Sequence, residues 1–347
     1  MANRDFASID AALATIFENQ VAPQINRSVV SLQVLPSIPA DGKNISWDAK
    51  FGTATPTTAA IGDGTAVTVF NADDKVPAVL NFTTYHDAFL VTGRASAASA
   101  AAGNPNQLSN LFRDDLRDSV NRLARAIGAD FYLGTGASNK MLGILDATSG
   151  GIIATGTYAG LSRSTYTQWA GNLEDAGGSE LGFTLIRNLI RKIYVASGMK
   201  PDLFICDPTQ HEKLGLLYGA QRRYVDSVRI QGQVIKLDGG YNVLEFDGRP
   251  VIEDVQAPAQ KFIALNTTET RMRYLPQPSA EQLQGSVGDV AIAGSAEAQF
   301  GMGAVKFMGR LKRLADDGDS AKFATFVYPQ VQVRTCNANG YISNLAA

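Results

Sequence analysis

Between Pro105 and Leu133 the chain repeats Leu108, Phe112, Leu116, Val120, Leu123, Ile127 and Phe131 every three or four residues, with no helix breaker before Gly128. Asn104 is a capping residue type, and Pro105 suits the first helical position. At 1.5 Å per residue this run predicts a helix about 43 Å long, well beyond the usual three turns. The opposite face carries Arg113, Asp114, Asp115, Arg117, Asp118, Arg122 and Arg125. Such a face is either solvated, with i,i+4 pairs such as Asp118 with Arg122, or an interface with another subunit. Arg113, Asp118, Arg122 and Arg125 are the contact candidates on the second view.

What precedes this helix has little core of its own. Ile9, Leu13, Ile16, Phe17 and Val21 make one face of a short amphipathic helix over 6–21, which Pro23 ends. Val29 to Pro39 is expected to be an extended arm. It is apolar but interrupted by Pro36 and Pro39, and too short to bury its own side chains, so it should lie across something else. From 45 to 93, short β-type runs at 45–51, 66–70, 76–82 and 88–92 predict a long ribbon. Its middle, Gly52 to Thr65, holds almost no bulky residue, so the tip should project. Ile9, Leu13, Phe17, Val34, Trp47 and Lys50 are the contact candidates in these segments.

After the loop 134–140 the pattern changes to alternating helix and strand, which suggests a second domain. Leu181, Leu185, Ile186, Leu189, Ile190 and Ile193 form a helix face with Gly198 at the C-cap position. Leu203 to Cys206 reads as a buried strand, and Asp207-Pro208 opens a second helix to about Tyr218. Turns are expected at Asp238-Gly239-Gly240 and Asp247-Gly248. Long strands over 304–314 and 322–335, joined at Asp316-Asp317-Gly318-Asp319, close the chain. Segregated helices with antiparallel-type strands argue an α+β class.

No chemistry stands out. At 347 residues the chain can bury a sizeable core without staples, and its Cys206 and Cys336 have no metal-ligand spacing around them. His86 and His211 are its only histidines; Gly215 stands where a zincin motif begun by His211-Glu212 needs its second His. Asn139 breaks the phosphate-loop spacing after Gly134, and Gly301-Met302-Gly303 lacks the third glycine of a dinucleotide loop. Catalytic, cofactor and metal sites are all expected to be absent. The charge balance of 31 basic against 33 acidic residues steers the chain toward neither nucleic acid nor anionic lipid, and no apolar window of about 20 residues predicts a membrane span.

An arm, a ribbon with a bland tip, a very long helix, an inserted α/β part and a return to long strands suit a tile better than a monomeric enzyme. At this point the chain resembles the major capsid proteins of tailed phages, the Hong Kong 97-like fold family, over essentially its whole length. Ala126-Ile127-Gly128-Ala129-Asp130-Phe131-Tyr132-Leu133-Gly134-Thr135-Gly136 followed by Met141-Leu142-Gly143-Ile144-Leu145 looks like the end of the family's spine helix. Pro201-Asp202-Leu203-Phe204-Ile205-Cys206-Asp207-Pro208-Thr209 resembles the strand-then-helix unit of its axial domain. Gly248-Arg249-Pro250-Val251-Ile252 with Phe262-Ile263-Ala264-Leu265 resembles a later strand pair.

The resemblance implies an N-terminal arm at 1–43, an E-loop ribbon at 44–93, a peripheral domain at 94–140 with 286–347, and an axial domain at 141–285. It implies self-assembly as pentamers and hexamers into an icosahedral phage head around double-stranded DNA, formed in the host cytoplasm, with no enzymatic activity. Scaffold, portal and decoration proteins are the further partners it suggests. Because the arm starts close to Met1, no long scaffolding segment is expected ahead of it. DNA contact is expected to be non-specific, through residues such as Arg4 and Arg27. One family member joins a ribbon Lys to an Asn of a neighbour. Here Lys50 or Lys75 with Asn337 or Asn339 would be the pair, and the lack of a ribbon-proximal acid argues against the reaction. Encapsulin-type compartments, which share the fold, and a soluble α+β enzyme are the rival readings. On an isolated subunit, residues 22–44 and 52–75 are expected to lack fixed structure.

Overall fold

The computed structural model describes residues 29–40, 42–51, 75–92, 105–218, 227–230, 233–236, 244–275, 310–313 and 320–347. The expected helix over 6–21, with Ile9, Leu13 and Phe17, lies outside them. So do the ribbon middle, the Asp238 turn and the Asp316 junction.

The described chain opens with a short helix α1 (Val30–Val34) and strand β1 (Ser37–Pro39). Strands β2 (Asn44–Lys50) and β3 (Lys75–Asn81) pair antiparallel from Asn44 opposite Asn81 to Lys50 opposite Lys75. Their period-two pattern turns Ile45, Ala49, Ala78 and Leu80 inward, as a ribbon base lying on a core requires. Strand β4 (Tyr85–Thr92) follows, then helix α2 (Pro105–Leu133), whose bounds coincide with the apolar repeat. On α2, Leu116, Leu123, Ile127 and Phe131 are buried, which is the face the periodicity picks out.

The second half begins with the small hairpin β5 (Thr157–Tyr158) and β6 (Leu161–Ser162), then β7 (Asn172–Asp175) and helix α3 (Phe183–Ser197). Ile186, Leu189, Ile190 and Ile193 are the buried stripe of α3. Gly198 ends it in the left-handed region at φ 71°, donating its N–H to the Tyr194 carbonyl over 2.8 Å. Strand β8 (Leu203–Cys206) and helix α4 (Pro208–Tyr218) come next, as expected from Asp207-Pro208. After the hairpin of β9 (Ser227–Ile230) and β10 (Gln233–Lys236) come β11 (Leu244–Phe246) and β12 (Arg249–Glu253), joined by Asp247 and Gly248 at φ 52° and 75°. The remaining strands are β13 (Phe262–Leu265), β14 (Thr270–Tyr274), β15 (Arg310–Arg313), β16 (Ser320–Val327), β17 (Pro329–Val333) and β18 (Gly340–Ser343).

The largest sheet has the order β11-β12-β8-β13-β18-β7 and is covered on both faces. Phe204, Cys206, Phe262, Ala264 and Ile342 point into one core with α3 and α4. Leu203, Ile205, Ile252, Ile263 and Leu265 point into the other, shared with α2 and the ribbon base. Every residue of β8 and of β13 is therefore buried, the mark of a central strand between two layers. Strand β18 joins 340–343 to the sheet of 172–265 rather than to the strands over 310–333 that precede it.

Two expectations are corrected. The segment Val29 to Pro39 is not an extended arm lying across another body. Val30–Val34 closes a helical turn, and Val29, Val30, Leu32, Val34 and Leu35 are at most 2% exposed, within one core with Leu123, Ile127 and Phe131. The prolines stand at 36 and 39, beyond the turn, so they do not prevent it; Pro39 ends β1, which runs parallel to β14. The run Lys322 to Thr335 is not one strand either. It divides before Pro329, β16 pairing with β4 and β15 while β17 pairs with β14.

Candidate assembly surfaces

Three polar ties, two of them built on buried side chains, join separate elements of the subunit. Asp254 is fully buried; its Oδ2 accepts the Ser31 backbone N–H (3.2 Å) and the Tyr132 hydroxyl (2.8 Å), and its Oδ1 accepts the Gln256 N–H (2.9 Å). One carboxylate thus ties α1, the end of α2 and the segment after β12. Tyr85 on β4 donates to Asp130 of α2 over 2.7 Å and accepts the Met141 N–H over 2.8 Å. Arg163, buried and with no ion pair among the described residues, donates to the carbonyls of Gly150, Gly151, Thr155 and Trp169 and so gathers the loops between α2 and α3.

These groups have the electrostatics of structural ties. Burial first, then the Asp254 charge, pushes the Tyr132 phenol well above its ordinary value. Burial likewise raises the thiols, Cys206 well above the usual range and Cys336 to about 12, which removes both as nucleophiles at neutral pH. His211 Nδ1 stands 3.2 Å from Glu253 Oε2, and His86 stacks on Phe326 with ring centroids 5.9 Å apart. Among the described residues no three His, Cys, Asp or Glu side chains gather as a metal site, and no helix is long and apolar enough to cross a membrane.

The sequence-derived contact candidates fall into different places. Val34 is corrected: at 1% exposure in its own core it cannot reach a neighbour. Trp47 is half-buried, packed against Tyr158 and Trp169 at centroid distances of 6.5 and 6.3 Å, and donates its Nε1–H to the Arg334 carbonyl over 3.3 Å. It therefore serves mainly to seat the ribbon base. Lys50 is exposed and, with Trp47, Trp169, Arg334 and Asn337, lines a cleft of about 290 Å³ beneath the ribbon. Arg122 pairs with Asp87 of β4 through Nε and Nη2 at 3.2 and 2.7 Å, so it bridges helix to sheet instead of closing the i,i+4 pair with Asp118. Asp118 is exposed, and Arg125 is half-buried with its carbonyl accepting from Gln256. Arg113 lies on α2.

The sequence did not point to the exposed apolar side chains of α3 and α4. Val195 is 79% exposed and Tyr194 51% on α3, and Leu216 68% and Leu217 47% on α4. The signal was present: α3 carries more apolar residues than one stripe needs, and the apolar residues of α4 do not form one face.

The comparisons with known proteins agree with this architecture. The chain's fold is that of the capsid in the cyanophage A-1(L) asymmetric unit, with TM-score 0.75, 21% identity, and coverage of 97% of this chain and 98% of that one. The capsid of an empty GTA particle matches at TM-score 0.60 and 13% identity over 100% of both chains. The SrpI encapsulin of Synechococcus elongatus PCC 7942 matches at TM-score 0.59 and 13% identity, over 100% of this chain and 97% of that one. At these identities the structures establish the Hong Kong 97-like fold and do not divide phage heads from encapsulins. No curated protein sequence matches. The family model of the SU10 major capsid protein does divide them: it matches residues 28–302, and the chain belongs to that family of phage head proteins, which are structural and not enzymes.

Proposed function

We propose that this major capsid protein forms pentamers and hexamers that close an icosahedral tailed-phage head around double-stranded DNA. The observation that carries this reading is the family match over 28–302, together with a likeness to a cyanophage capsid along nearly the whole of both chains. Residues 44–93 would serve as the ribbon that reaches a neighbour. By the expected bounds 94–140 with 286–347 would form the peripheral part and 141–285 the axial part, with 340–343, which lie in the sheet of 172–265, moved to the axial part. With a net charge of -2 the subunit has no excess of cations to condense a genome, so DNA would be driven in by a motor and touched non-specifically, Arg4 and Arg27 being the candidates in the arm. Scaffold, portal and decoration proteins would be its other partners.

Electron microscopy of the purified protein tests the reading: closed shells are expected, and a compact monomer at every concentration would overturn it. The encapsulin likeness gives a second reading its footing. Particles isolated from producing cells separate the two, since nuclease-protected DNA marks a phage head and enclosed protein cargo marks an encapsulin.

A further inference from the structure

Helix α4 is inside out. It buries Gln210 and His211 beside Leu214, yet exposes Leu216 and Leu217. Gln210 has a reason to be inside, because its Nε2 donates to the Ala346 carbonyl over 2.7 Å. The two adjacent leucines have no such partner among the described residues.

A second apolar cluster, Tyr194, Val195 and Met199, is exposed where α3 ends. Both helices lie on the same face of the six-stranded sheet, and they touch where Phe183 meets Tyr218 at a centroid distance of 5.1 Å. Phe183 begins α3, and Val195 stands about 18 Å further along its axis. The two clusters are therefore separate patches at different ends of one helical layer.

Charge sorts with them. No acidic residue occurs in α3, and Arg191 and Lys200 are exposed beside its apolar end, with Lys200 Nζ 5.5 Å from the centre of the Tyr194 ring. Lys192 is already taken by Glu174. At the α4 end Glu212 is exposed one turn before Leu216, and Glu245 and Asp247 both act on Tyr218, against Arg187 from α3. Asp247 is held by Arg249 and Lys213 by the Ala346 and Ala347 carbonyls, so among the described residues Glu212 and Glu245 outnumber Arg187 at that end.

Identical subunits close a ring only through two different patches per subunit, because one patch meeting its own copy yields a closed pair. We infer that the α4 end of one copy docks on the α3 end of the next around a capsomer, with Leu216 and Leu217 against Tyr194 and Val195 and Glu212 facing Arg191. This inference rests on the capsid reading and goes beyond it by naming the two surfaces.

The test uses full-length L216D and V195D, each checked for an unchanged melting transition. In analytical ultracentrifugation, each alone is expected to give at least tenfold fewer capsomers than the wild type. Mixed in equal amounts they should form heterodimers and nothing larger, since each pair keeps one intact α4 end and one intact α3 end. E212K should weaken capsomers at low salt, and R191E combined with it should restore them. This charge swap carries the test if an apolar variant fails to fold. Wild-type capsomer yields from both apolar variants, or dimers of each variant alone that mixing does not change, would overturn the inference while leaving shell formation intact. Absence of shells from the wild type would instead overturn the capsid reading beneath it.

Discussion

The Tyr132 hydroxyl and the Ser31 backbone N–H share one carboxylate oxygen, Oδ2 of Asp254, at 2.8 and 3.2 Å. Asp254→Ala strands these two donors and the Gln256 N–H in a dry site, at about 1–3 kcal/mol each. Denaturant unfolding should show a loss above about 3 kcal/mol for Asp254→Ala and a smaller one for Tyr132→Phe. Equal losses would mean that the carboxylate does not act as the hub.

Alkaline pH should unfold the protein through its phenols. Burial is the leading cause that lifts Tyr85, Tyr132 and Tyr158 above the ordinary value of 10.0. A raised native pKa contributes stability that is present below pH 10 and lost as pH climbs above it. Absorbance at 295 nm should therefore show these tyrosines ionising only with cooperative unfolding. Titration of every tyrosine near 10 in a folded protein would contradict the packing.

The thiols should be silent in the native state. Cys206 and Cys336 are fully buried and unpaired with each other, so a chromogenic disulfide reagent should react with neither until denaturant is added, then with both. Rapid labelling of native protein would show an opening that the fold does not contain.

Gly171→Ala should be among the most damaging small substitutions. A Cβ there would stand 1.7 Å from the Ile152 carbonyl oxygen, and backbone cannot move aside as a flexible side chain can. Loss of soluble protein, or of more than about 3 kcal/mol in stability, is expected. Near-wild-type melting would show that the loop before β7 is free to shift.

Limited proteolysis of unassembled subunits should spare residues 29–39. Val29, Val30, Leu32, Val34 and Leu35 are already inside the subunit, so cleavage there before global unfolding would restore the extended-arm picture.

The contrast between α2 and α1 shows what could be read in the sequence. Pro105 to Leu133 repeats one apolar face for many turns, and periodicity alone sets such an element. The turn at Val30–Val34 is set by partners far away in the chain: the Ser31 N–H is met by Asp254, and the apolar side chains pack in the core with Ile127. No local pattern carries that information. The same holds for Arg122. Its spacing to Asp118 suggests a pair along the helix, while the tertiary approach of β4 supplies Asp87 with bidentate geometry that an i,i+4 partner does not match. α3 and α4 were legible as helices, but the patches at their ends emerge only when the sheet beneath them shows which residues remain outside.

The place of β18 between β13 and β7 sets a clock on synthesis. Until 340–343 leave the ribosome, Phe262–Leu265 presents a bare edge on one side, and Asn172–Asp175 has no strand to lie beside. A nascent or prematurely ended chain thus carries a sheet in two pieces, and α3, which packs on both β7 and β18, lacks part of its floor. The six-stranded sheet is therefore complete only once the chain has been translated through Gly340–Ser343.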